Sequence, residues 1–70
     1  MSEDIEVVVN GRARPADPAW TIADLLESLG FHAQTVVVEH NGEALERERF
    51  SAVRLGANDR IEVVRAVAGG

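Results

Sequence analysis

Ile5-Glu6-Val7-Val8-Val9-Asn10-Gly11, followed by Trp20-Thr21-Ile22-Ala23-Asp24-Leu25-Leu26, decides how this chain begins to fold. In the first stretch Ile5, Val7 and Val9 alternate with Glu6 and Val8, the period of a strand with one covered face. It stops at Asn10-Gly11, the dipeptide that best accepts the positive φ angles of a tight hairpin. Residues 12–17 should therefore return as a second strand, which Pro15 and Pro18 confine to an edge or end early. In the second stretch Thr21 is a helix N-cap with Asp24 at N3, and Trp20 and Leu25 occupy the two positions of a hydrophobic staple. Ile22, Leu25, Leu26 and Leu29 then form one apolar stripe, Asp24, Glu27 and Ser28 face away, and Gly30 offers a left-handed stop.

Outward from this opening, Val36-Val37-Val38 is β-branched throughout and leads through Glu39-His40 into Asn41-Gly42, a second copy of the turn signal. Arg47 to Phe50 is charged until its final aromatic, which suggests a surface turn or short helical piece anchored by Phe50. Asn58-Asp59 marks a last turn, after which Ile61 and Val63 alternate with Glu62 and Val64 along a final strand reaching about Val67. The order is strand, strand, helix, strand, short pieces, strand. It predicts an α+β fold of the β-grasp, ubiquitin-like type: a mixed sheet of four to five strands with one main helix across one face. Residues 1–70 are read as one domain, in which residues 67–70 form a flexible tail.

Composition narrows the chemistry. A chain of 70 residues leaves no room for a second hydrophobic core, and 46% hydrophobic residues is ordinary for a folded domain. Burial in so small a scaffold barely exceeds the cost of ordering, about 1.5 kcal/mol per residue, so a deep catalytic cleft is not expected and the chain reads as a partner of enzymes rather than an enzyme. With no cysteine there is no thiolate nucleophile, no disulfide and no side chain to carry a persulfide. Seven basic residues, all arginine, stand against twelve acidic ones; the net charge of −5 opposes nucleic-acid binding and suggests steering toward basic partner surfaces. An acidic start and no long apolar run give a cytoplasmic, membrane-free and monomeric expectation. His32 and His40 are read as solvated polar residues rather than metal ligands, and Arg47-Glu48-Arg49 as a solvated charged face.

One segment has no packing role: Ala68-Gly69-Gly70. A terminal carboxylate that is to be activated must reach, in line, a nucleotide held inside another protein. Three or four extended residues span about 10 to 13 Å, and glycines let the walls of a narrow channel close around the backbone. Ordering them costs about 1 to 2 kcal/mol each, which docking of the folded body must offset.

These residues carry a family resemblance over essentially the whole chain. Val9-Asn10-Gly11, Thr21-Ile22-Ala23-Asp24-Leu25-Leu26, Val38-Glu39-His40-Asn41-Gly42-Glu43 and above all Asp59 to Gly70 are similar to the ThiS family, the ubiquitin-like sulfur carriers of thiazole formation in thiamine biosynthesis. The resemblance implies that a ThiF-like adenylating enzyme, using ATP that this chain does not itself bind, converts the Gly70 carboxylate to an acyl adenylate. A persulfide donor then makes a thiocarboxylate, and a ThiG-like thiazole synthase receives the sulfur. Gly70 carries the reacting atom, and Ala68, Gly69 and Gly70 form the arm threaded into both enzymes; no residue is implied as catalytic, and no cofactor or metal as bound. His40 and Ala57-Asn58-Asp59 depart from the family's usual residues, away from the reacting end. Three other readings stay open: a carrier for another product, as in molybdopterin or cysteine synthesis, a ubiquitin-like modifier joined to lysines of other proteins, and a passive binding module whose Gly-Gly end is incidental.

Alternation along the last strand points Ile61, Val63 and Val67 toward the helix and Glu62, Val64, Ala66 and Ala68 away from it. Val64 and Ala66, with Val8 or Val37 as candidates to extend them, are therefore the expected docking surface for the activating enzyme.

Overall fold

The computed structural model describes residues 3–66. Strands β1 (Ile5–Val9) and β2 (Arg12–Ala16) form an antiparallel hairpin, followed by helix α1 (Ile22–Ser28), β3 (Val36–His40), β4 (Glu43–Leu45) and β5 (Arg60–Arg65). The five strands make one mixed sheet in the order β2-β1-β5-β3-β4. The last strand therefore lies at the centre, parallel to β1 and antiparallel to β3. This is the β-grasp arrangement expected from the order of elements.

The two Asn-Gly turns form as their chemistry requires. Asn10 and Asn41 have φ of 50° and 53°, and Gly11 and Gly42 have 82° and 86°, the paired left-handed angles of a tight hairpin. Both asparagines also hold β5. Asn10 Oδ1 accepts from the Val63 N–H at 2.8 Å while its Nδ2 donates to the Val63 carbonyl at 3.2 Å. On the opposite edge Asn41 Oδ1 accepts from the Arg60 N–H at 2.8 Å, and the Asn41 N–H donates to the Arg60 carbonyl, also at 2.8 Å. Where β1 and β3 turn away, these residues continue the pairing that the central strand needs.

The helix starts at the expected cap. Thr21 Oγ1 accepts from the Asp24 N–H, and Asp24 Oδ2 accepts from the Thr21 N–H, completing a capping box. The Ile22 and Ala23 N–H groups donate to the carbonyls of Val53 and Phe50, so the segment after β4 satisfies the rest of the first turn. Gly30 follows the helix with φ 82°, the left-handed stop. Ile22, Leu25 and Leu26 are buried against Val7, Val9, Val36, Val38, Ile61 and Val63. Trp20 and Leu29 pack at the border of this core, and Ala16, Phe50 and Leu55 complete its buried set.

Two boundaries differ from the sequence expectation, and one short strand is additional to it. The second strand ends at Ala16 rather than Asp17, because Asp17 Oδ1 turns back to accept the Ala19 N–H at 2.8 Å. Pro15 does lie within that strand, which is an outer edge of the sheet where a missing donor is tolerated. The final strand ends at Arg65, opposite Val36, where β3 starts; one residue further, Ala66 bonds instead to Thr35 in the 3-10 turn before β3. The expectation that it continues to Val67 falls on a residue outside those described. β4, only three residues long on the other edge, has no alternation of its own to announce it. No helix of the described residues is long and apolar enough to cross a membrane.

Candidate functional site

The root of the tail is built by three contacts. Arg65 pairs with Val36 in the sheet, the Ala66 N–H donates to the Thr35 carbonyl at 2.8 Å, and the Arg65 guanidinium lies 5.8 Å from the centroid of the Phe31 ring. Thr35 is itself fixed at the end of a short 3-10 turn, Ala33–Thr35, by its N–H and hydroxyl, both donating to the His32 carbonyl. Anything beyond Ala66 therefore leaves from a fixed point. Of the residues singled out in the sequence, Ala68, Gly69 and Gly70 lie outside the described part of the chain.

Val64 and Ala66 are both exposed, on the sheet face away from the helix. Val64 is 62% exposed and sits directly opposite Val37, which is 53% exposed; these are the large exposed hydrophobic residues of the described chain. A cross-strand valine pair left to water beside the tail root is a small apolar platform. Val8 is half-buried and faces Arg60 instead, so it stands apart from the pair. Further along the same two strands Glu39 lies opposite Glu62, both exposed. Like charges directly across a sheet repel, and their presence here bounds the platform with negative charge. Nothing in the sequence alone signals this juxtaposition, because the β3–β5 register appears only once the strands are paired.

Of the polar residues expected to be solvated, Arg47 is exposed as expected and His40 only partly so, and both are tied down by hydrogen bonds. A carboxylate can only accept, so the 2.9 Å contact between His40 Nε2 and Asp59 Oδ2 places the imidazole proton on Nε2. Asp59 also accepts from the Gly56 N–H at 2.7 Å and from Asn41 Nδ2 at 3.1 Å. Burial pushes the Asp59 carboxyl up, but its bonds from His40, Gly56 and Asn41 outweigh that effect and hold it below its ordinary value. Arg47 likewise donates through Nε to the Ala33 carbonyl at 2.9 Å, tying the 3-10 turn after β4 to the one before β3. The His40–Asp59 contact lies in the scaffold away from the tail root, whereas Arg47 braces the Ala33–Thr35 turn on which that root rests. No group of three or more His, Cys, Asp or Glu residues that could hold a metal ion occurs among the described residues.

The comparisons with known proteins agree with this geometry. A family model described as the ThiS family matches residues 7–70. The sulfur carrier protein ThiS of Bacillus subtilis is 44% identical over 50 residues, which cover 71% of this chain and 76% of that protein. A thiazole synthase of Magnetococcus marinus is 36% identical over 66 residues, 94% of this chain but only 20% of the synthase, so this chain spans about a fifth of that relative's length. The crystal structure of a thiamine biosynthesis protein, ThiS, from Geobacter metallireducens superposes with a TM-score of 0.80 at 36% identity, covering 94% of this chain and all of that one. A designed protein based on ubiquitin shares the fold alone, with a TM-score of 0.53 at 16% identity. Through its sequence, its sheet order and its match to the family model, the chain belongs to the ThiS family.

Proposed function

We propose that this protein carries sulfur for thiazole formation as a thiocarboxylate on Gly70, acting as a protein cosubstrate without catalytic residues of its own. The observation that supports this most directly is the family match running through residue 70, with Gly69-Gly70 following a strand whose end is pinned at Ala66. A rigid root and a glycine arm meet the two needs of the chemistry: docking energy gathered by the folded body, and a carboxylate slim enough to enter a partner's active site.

In this reading the Gly70 carboxylate attacks the α-phosphate of ATP bound to an adenylating enzyme, releasing pyrophosphate. The terminal sulfur of a persulfide donor then displaces AMP at the acyl carbon to give an acyl disulfide, a second thiol cleaves its S–S bond and leaves as a disulfide with the donor sulfur, and the resulting thiocarboxylate passes to a thiazole synthase. The Val37–Val64 platform with Ala66 docks the activating enzyme, since it is apolar, exposed and continuous with the arm. The thiazole synthase partner is supported by relatives of that name whose own chains contain a segment similar to this one.

Intact mass decides it. After incubation with ATP, a ThiF-type enzyme and a persulfide source, the chain should gain about 16 Da, one oxygen exchanged for one sulfur, and a chain lacking Gly70 should gain nothing. No gain with enzymes active on another carrier would sink the proposal. Covalent ladders in cells without a thiocarboxylate would favour a protein modifier, and copurification with molybdopterin synthase rather than thiazole synthase would move the carrier to another product.

A further inference from the structure

Arg12 and Arg14 stand in the sheet opposite Val9 and Val7, two buried core residues. Their register therefore places them on the helix-bearing face, where two exposed guanidiniums are out of keeping with the core beside them. Helix α1 spans only seven residues and stops short of this corner. What remains is a pocket of about 300 Å³ with Val9, Leu29 and Phe31 as its apolar walls and Asn10, Arg12 and Arg14 as its polar ones. Among the described residues no carboxylate lines it, and the one acid–base side-chain pair within 4.0 Å is His40–Asp59, so neither arginine is matched by an acid from that part of the chain. Phe31 joins this pocket to the tail root, because the same ring lies under Arg65. In a chain of net charge −5, Arg12 and Arg14 rim a pocket whose Phe31 wall also carries Arg65.

We propose that this arginine-rimmed pocket receives an acidic segment of the thiazole synthase, a loop presenting an Asp or Glu next to an aliphatic or aromatic side chain. The inference rests on the sulfur-carrier reading above. Guanidiniums left unmatched beside an apolar hollow suit a carboxylate held at the rim by paired N–H donors while a neighbouring side chain fills the floor. The volume is at the low end for a small-molecule site and fits one or two side chains. Because the pocket shares Phe31 with the anchor at Arg65, a loop seated in it fixes the position of the folded body, and so of the chain's exit point, against the synthase. This corner is opposite in charge to the Glu39–Glu62 pair on the other side of the sheet, so the two surfaces address different partners.

Binding of the purified full-length carrier to thiazole synthase, measured by calorimetry, tests this with R12E/R14E and R12K/R14K beside the wild type. Charge reversal should weaken binding by on the order of tenfold or more, the lysine pair should retain most of the affinity, and the salt dependence of the wild type should flatten in R12E/R14E. Sulfur loading by the adenylating enzyme, read by intact mass, should keep the same KM and kcat in all three. Unchanged affinity of R12E/R14E for the synthase overturns the inference, as does a raised KM in loading alone, which would assign the pocket to the adenylating enzyme. Tighter binding by R12E/R14E also overturns it, since the arginines would then be holding the chain's own C-terminal carboxylate. A wild-type chain that is never loaded with sulfur sinks the carrier reading instead, a result separate from any of these.

Discussion

Asn10 grips Val63 through both ends of its side-chain amide, accepting from the backbone N–H and donating to the carbonyl. The pair is separated by most of the sequence, yet it behaves like one more rung of the β1–β5 ladder, made by a side chain because the backbone at Asn10 has already turned at φ 50°.

Replacing this asparagine tests that role without disturbing the turn. Asn10→Gly keeps a residue at ease with positive φ but loses both bonds to Val63, and should cost about 1 to 2 kcal/mol in urea unfolding. A loss of only a few tenths would mean that water replaces the amide at no cost.

Asp59 makes stability depend on pH with a definite sign. Its carboxyl lies below its ordinary value in the folded chain, so the unfolded chain takes up a proton first as the solution is acidified. The contribution is complete above the unfolded value, about 3.9, and is lost as pH falls through the lower folded one. Wild type should therefore lose more stability than Asp59→Asn between about pH 5 and pH 2, measured by denaturant titration at each pH. Parallel curves would show that the network around His40 does not bind the charged form more tightly.

At the helix start, Thr21→Ala removes the acceptor for the Asp24 N–H and should lower stability by about 1 kcal/mol. Thr21→Ser, which keeps the hydroxyl oxygen, should recover most of that in thermal melts. If both variants are equally weak, the Thr21 methyl rather than its oxygen matters.

The outer sheet face and the core face of β5 should respond differently. Val64→Asp or Ala66→Asp should weaken binding to the activating enzyme while leaving the melting temperature within a few degrees, because both residues are already in water. Ile61→Ala, at a fully buried position of the same strand, should instead cost about 2 to 5 kcal/mol. Unchanged affinity in the two aspartate variants would remove the valine platform from the docking surface.

Much of this architecture is legible in the sequence. Alternation in residues 5–9 and 61–64, the two Asn-Gly turns and the Thr21–Asp24 cap are local signals, and local signals survive without knowledge of the partner strands. The exposed position of Val64 follows from period alone. Its pairing with Val37, the facing glutamates and the arginine-rimmed hollow are not legible, because each depends on register or on where a helix stops relative to a sheet. His40 reads as solvated for the same reason: its partner, Asp59, approaches only when the turn before β5 folds against the β3–β4 hairpin. Arg12 and Arg14 are ordinary polar positions of an edge strand until β2 is placed against β1.

The position of β5 between β1 and β3 has a further consequence for how the protein is made. Its neighbours leave the ribosome before it does, and until residues 60–65 emerge they can form only two separate hairpins with open inner edges. The strand that completes the sheet also carries the anchor at Arg65 and Ala66. A nascent chain that stalls before Arg60 therefore lacks the strand that joins the two hairpins and, with it, the anchor formed by Arg65 and Ala66.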